Sequence, residues 1–167
     1  MIADEAVAES PLWAEALLPA EDRDLVPVFS PLLAEERYAV GVETIYEGYL
    51  LHYGRPRLFA ADGHNALLLG DYLYAHGLVR IAEVGSVEAV ADLAELISLC
   101  SQLRADSAPG DGAAWAASAA LLGAGELEEA RVALRDHGNP APLTELAEAH
   151  AGPALEQTLV AHDRRLR

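Results

Sequence analysis

The chain has 167 residues, 52% of them apolar, and a formal net charge of -16, with 27 acidic residues set against eleven arginines and no lysine. That length suits one domain with a respectable apolar core and argues against a large two-domain enzyme. The charge argues against a nucleic-acid partner, whose phosphates need a basic face, and against an anionic membrane surface.

Alanine and leucine lead the apolar residues, while β-branched and aromatic residues are scarce. This favours packed helices over a sheet, and the expected fold is all-α. Cys100 is the only cysteine, so no intrachain disulfide can form, and a reducing cytoplasm is the simplest compartment. Asp4, Glu5 and Glu9 occupy the start where a secretory signal would be basic and then apolar, and no apolar run reaches membrane-spanning length.

Residues 1–29 are acidic and interrupted by Pro11, Pro19 and Pro27. They predict a loosely ordered arm with one short helix over 12–18, preceding a helical domain over 30–167. Ser30 as N-cap and Pro31 at the first position then predict a long helix that Gly54 and Pro56 must end, with an apolar seam at Tyr38, Val42, Ile45, Tyr49 and Tyr53. Residues 62–84 predict a second long helix, apolar around most of its circumference and therefore expected at the centre of the fold. Within it, Gly70 and Gly77 lie two turns apart on one face, where a neighbouring helix could approach closely.

Gly85 should stop that helix and Ser86 cap the next, which runs to about residue 105 with Val90, Leu93, Ala94, Ile97 and Cys100 inward. A flexible joint is expected over 107–112. An alanine-rich helix over 113–122, a helix over 126–137 that ends at Gly138, and two weaker helices over 142–150 and 153–165 complete the chain. The expectation is a single bundle of about seven helices. Arg164, Arg165 and Arg167 suit the carbonyl end of the last of them.

No constellation for catalysis stands out. The six histidines show no metal-ligand pairing, and no phosphate loop, nucleophile elbow or Cys-x-x-Cys motif occurs, so neither a metal nor a cofactor is expected. Glu43 and Glu47, like charges at i, i+4, read as a solvent-facing pair. Asp71, inside the apolar helix, reads as a buried carboxylate satisfied by a neighbour.

The segment 54–97 resembles the middle of a trans-polyprenyl diphosphate synthase, through Gly54-Arg55-Pro56, Gly70-Asp71-Tyr72-Leu73 and the Gly85-Ser86 break, in the family's order and spacing. Upstream, Leu50-Leu51-His52 is similar to the sequence before the family's first Asp-Asp-x-x-Asp motif. Downstream, residues 119–138 resemble the helix pair before the second. The likeness spans about residues 31–150 and omits the family's N-terminal helices and much of its C-terminal bundle.

The resemblance implies a truncated isoprenoid-synthase fold, with departures at the points where that family does chemistry. Those enzymes hold magnesium between two aspartate-rich motifs to stabilise departing pyrophosphate. Here Tyr53 and Gly54 follow His52 directly, and the stretch after Gly138 offers only Glu145 and Glu148. The lysines that hold diphosphate in the family are also missing. Arg55 and Arg57, with Asp71, remain as degenerate ligand contacts, which cannot replace a metal cluster.

The implied function is that of a non-catalytic subunit that binds, and stabilises or regulates, a catalytic prenyl diphosphate synthase. Gly70, Tyr74, Gly77, Val90, Ala94 and Ile97 are the expected interface. A homodimer, or a structural or isoprenoid-tail-binding accessory subunit of a larger assembly, is the alternative.

Overall fold

A computed structural model describes residues 2–84 and 86–166 of the chain, and among them every regular element is helical. The elements are α1 (Ile2–Glu9), α2 (Pro11–Ala16), α3 (Ala39–Tyr53), α4 (Gly63–Glu83), α5 (Val87–Ala105), α6 (Asp111–Ala120), α7 (Glu128–His137), α8 (Ala141–His150) and α9 (Ala154–Leu166), with three short 3-10 turns. The seven helices expected after residue 30 are thus present. Gly85 and Arg167 lie outside the described residues.

Residues 2–29 differ from the loose arm the prolines suggested. They form two helices, and the chain then pairs with the segment after α3: Leu18 N donates to Leu58 O at 3.0 Å and Ala60 N to Ala16 O at 2.7 Å. Ala3, Ala6 and Trp13 join Leu51, Leu58, Phe59, Leu69 and Leu73 in a second apolar cluster. Glu5 meets His76 and Arg80 across the same junction. Prolines break a helix but leave its neighbours free to pack, and here they separate short docked pieces.

The long helix expected from Ser30 begins later, at Ala39. Two 3-10 turns precede it because the backbone of residues 28–30 is turned toward a side chain of α3, as described below. At the other end α3 stops at Tyr53, as the Gly54–Pro56 signal predicts. This helix, and not α4, is the centre of the fold. It is buried without interruption from Gly41 through Leu51, whereas α4 buries only Leu69, Gly70, Leu73, Gly77 and Ile81.

Helices α5, α6 and α9 cover other sides of α3, and α7 and α8 pack beyond them on α5, α6 and each other. Ser86 caps α5 by accepting from Ala89 N at 3.1 Å, and Gly138 (φ 62°) closes α7 with hydrogen bonds back to Leu134 O and Ala133 O. Asp92 on α5 is buried against Arg131 on α7 at 2.9 Å and also accepts from Gly123 N at 2.8 Å. That pair fixes the α6–α7 turn to α5. The joint after α5 is a short turn with a left-handed residue at Ser107 (φ 53°) and at Gly110 (φ 122°).

Candidate functional site

The segments 50–52 and 70–73 come together where α3 crosses α4. Glycines make that crossing close. A Cβ on Gly77 would lie 2.4 Å from Ile45 Cγ1, one on Gly48 would lie 2.8 Å from Gly70 O, and one on Gly41 would lie 2.5 Å from Ile81 Cδ1. The glycine face of α4 is therefore occupied from within. Gly70 and Gly77 serve the α3–α4 contact and are buried, so they are not surface for another chain.

The His52 ring stands over Gly70, stacks on Tyr74 with centroids 5.1 Å apart, and places Nε2 3.2 Å from Asp71 Oδ1. Asp71 is not the buried carboxylate expected from its apolar surroundings: its side chain is 73% exposed. The reason is that α4 turns only one stripe toward α3, and Asp71 sits outside it. Tyr74 is half-buried with its hydroxyl enclosed, and burial pushes that phenol well above its ordinary pKa.

The Glu43 and Glu47 pair, expected in solvent, is instead the centre of a buried charge cluster. Glu43 Oε1 accepts from the backbone N–H groups of Val28, Phe29 and Ser30 at 2.8–2.9 Å, which is what bends that segment toward α3 and delays the helix. Glu47 Oε1 accepts from the N–H groups of Arg57 and Leu58 at 2.8 Å. Between the two carboxylates lies Arg57, 4% exposed, with Nη1 2.7 Å from Glu43 Oε2 and Nε 3.1 Å from Glu47 Oε2. Its remaining bonds go to Val26 O and Glu43 O. A guanidinium has five N–H donors, and four hydrogen bonds to its own chain leave Arg57 little capacity for an outside anion. Burial alone would lower its pKa, but the two carboxylates hold it above its ordinary value. Arg55 is exposed and reaches the carbonyls of Arg164 and Arg165, at the C-terminal end of α9, where a cation suits the helix dipole.

Sequence reading missed a third cluster, because its members come from three helices and a loop. Phe29, Tyr46, Tyr49, Trp115 and His162 are all buried within 6.1 Å of one another by ring centroid where they meet. Tyr46 Oη lies 3.0 Å from His162 Nδ1, and His162 Nε2 lies 3.5 Å from Asp111 Oδ2. The latter is long for a hydrogen bond and is an electrostatic contact. Asp111 also takes the Tyr49 hydroxyl and the Arg104 guanidinium. Burial would raise the Asp111 pKa, but His162, Tyr49 and Arg104 together hold it well below the usual carboxylate range. A depressed carboxylate stabilises the fold above its unfolded pKa, near 4, and that contribution disappears as the pH falls further. Denaturant unfolding should therefore show wild type more stable than Asp111→Asn at pH 7, with the gap closing toward pH 3. A gap that stays constant with pH would contradict this.

Among the described residues no three His, Cys, Asp or Glu side chains converge as a metal would need, and no helix is long and apolar enough to cross a membrane. One cavity, of about 440 Å³, lies between α1, residues 23–30 and the start of α3, with Ile2, Leu25, Pro27, Val40 and Leu58 as apolar walls and Glu43 and Arg57 at its base. No protein-family model, no curated protein and no solved structure matches this chain.

What distinguishes the surface is the outer side of α4 and α5. Leu67, Leu68, Ala75, Val79 and Ala82 of α4 face outward, Leu68 being 56% and Val79 54% exposed. On α5, Val87, Ala91, Ala94 and Ser98 are exposed on one flank, beside the half-buried Val90 and Ile97. Ala94, expected inward, is thus outside, because the buried stripe of α5 runs through Ala89, Leu93, Leu96, Cys100 and Leu103. Tyr74, Leu78, Val90 and Ile97 pack edge-on against the main core and keep part of their surface in solvent.

Proposed function

We propose that this chain is a non-catalytic helical subunit that docks on a protein partner, that the partner is a catalytic prenyl diphosphate synthase, and that the pair works in the cytoplasm. The observation that carries the docking is α4: a helix apolar around most of its circumference has Leu67, Leu68, Ala75, Val79 and Ala82 in solvent on the side away from α3. A partner over the outer side would restore the burial its sequence is written for. Tyr74, Val90, Ala94 and Ile97 lie at or beside that surface.

The prenyl synthase as partner is supported by the sequence likeness and by the meeting of its two segments at His52 and Asp71. Arg57, one of the two candidate anion contacts, is buried and engaged on both sides by carboxylates, which supports a packing role for it. Incubation of the purified chain with isopentenyl diphosphate, an allylic diphosphate and magnesium is expected to give no prenyl product, and a clear product would overturn the non-catalytic part of the reading.

A second reading, an accessory subunit that holds an isoprenoid tail, is favoured by the apolar walls of the cavity beside α1. Mass spectrometry of lipid extracted from the protein purified from its native host separates the two: a stoichiometric isoprenoid supports the second, and a bare protein removes it.

A further inference from the structure

We propose that the outer face of α4 and α5 takes a partner whose apolar helical surface is rimmed by lysine or arginine, and that this partner is not a second copy of the chain. The inference rests on the docking reading above and adds the chemistry of the partner.

The face is long enough for a specific complex. Helix α4 has 21 residues, which at 1.5 Å each extends about 30 Å, and α5 lies beside it. Its centre is built of leucine, valine, alanine and serine side chains, so the recognition there is by shape and burial. Charge enters within the α4 stripe at Asp71, which His52 Nε2 meets at 3.2 Å, and at the end of α4, where Arg37 reaches Val84 O at 3.5 Å but is paired with Glu35. Asp71 is exposed midway along α4, and Glu83 and Glu88 stand at the end where α4 leads into α5.

His52 stands beside Asp71, and the arginines near Glu83 and Glu88 are engaged elsewhere, Arg37 with Glu35 at 2.9 Å. Arg80 and His76 meet Glu5 on the arm, and Arg135 meets Glu95 at 2.7 Å. Neither Glu83 nor Glu88 has an ion pair or side-chain hydrogen bond among the described residues. Behind the rim stands a chain of net charge -16. Two copies meeting through this face would bring the same carboxylates and the same net charge together, and like-charge juxtaposition across an interface is strongly disfavoured. A rim of lysine or arginine meets each exposed carboxylate with its opposite and is drawn in by the net charge. The shared requirement is therefore an apolar stripe with basic flanks.

The test uses two dye-labelled helical peptides with one leucine and alanine stripe in common, one flanked by lysine and the other by glutamate. Fluorescence anisotropy with the full chain at physiological ionic strength reads their affinities, and sedimentation of the chain alone reads its oligomeric state. The lysine-flanked peptide is expected to bind at least about tenfold more tightly than its glutamate counterpart. Val79→Asp and, on α5, Ala94→Asp should each weaken it by about tenfold or more, even though each adds a negative charge. That sign is decisive, because attraction to net charge alone would grow stronger in both variants. Both positions are exposed, so the variants are expected to fold, and circular dichroism checks that they do. Equal binding of the two peptides, or tighter binding of the lysine peptide to the variants, would overturn the proposal. A dimer of the chain alone that Val79→Asp dissociates would also overturn it, while leaving the docking reading in place.

Discussion

Arg57→Ala is expected to destabilise the fold by about 3–5 kcal/mol, the usual effect of removing one partner from a buried ion pair and leaving the other charge uncompensated. Here two carboxylates would be left, Glu43 and Glu47, both buried in the centre of the molecule. For a chain of this size the loss corresponds to a fall of roughly 10 °C in the melting temperature. Arg57→Lys should recover only part of it, since a single ammonium cannot reproduce the fork that spans both carboxylates. Arg55→Ala, at an exposed helix end, is expected to change stability by under about 1 kcal/mol. Thermal and denaturant unfolding of the three variants measure this directly. Equal, small effects at residues 55 and 57 would mean that the Glu43–Arg57–Glu47 cluster is solvated and that Arg57 is available to an outside anion.

Gly77→Ala is the second large effect, and its sign carries the information. In an exposed helix interior, glycine to alanine stabilises by about 1 kcal/mol. At residue 77 the added Cβ would lie 2.4 Å from Ile45 Cγ1 and 2.9 Å from the backbone oxygen of Gly41. The neighbour on one side is backbone, so α3 and α4 must separate, and overpacking of this kind costs about 1–3 kcal/mol or somewhat more. The clash outweighs the propensity gain, and the expected outcome is a net loss of about 2 kcal/mol in denaturant unfolding. A stabilised Gly77→Ala protein would mean that the glycine face of α4 is free, as an intermolecular role for Gly70 and Gly77 would require.

The helices were legible because their signals are local. Ser86, Gly54 and Gly138 mark boundaries through hydrogen bonds or turns made within a few residues of themselves, and the bundle class followed from composition. What the sequence could not give was which helix lies innermost. Periodicity describes how apolar each face of α4 is, but not whether a neighbour covers it, so a helix apolar around most of its circumference read as central although α3 holds that place.

Charge went the same way. The i, i+4 spacing of Glu43 and Glu47 reads as repulsive within one helix. It becomes favourable only when Arg57 and the backbone of residues 28–30 arrive from elsewhere in the chain. The aromatic cluster around Trp115 and His162 is likewise assembled from distant segments, and no short motif announces it. Of the residues expected at an interface, Val90, Ala94 and Ile97 share a flank of α5 that reaches the surface, whereas Gly70 and Gly77 are taken up by α3.

The most direct test of the docking claim is affinity purification of the tagged chain from its native host, run in parallel with Val79→Asp. The expected result is a prenyl diphosphate synthase recovered in stoichiometric amount with the wild-type chain and lost with the variant. Recovery of no synthase by the wild-type chain, or equal recovery by both, would contradict it.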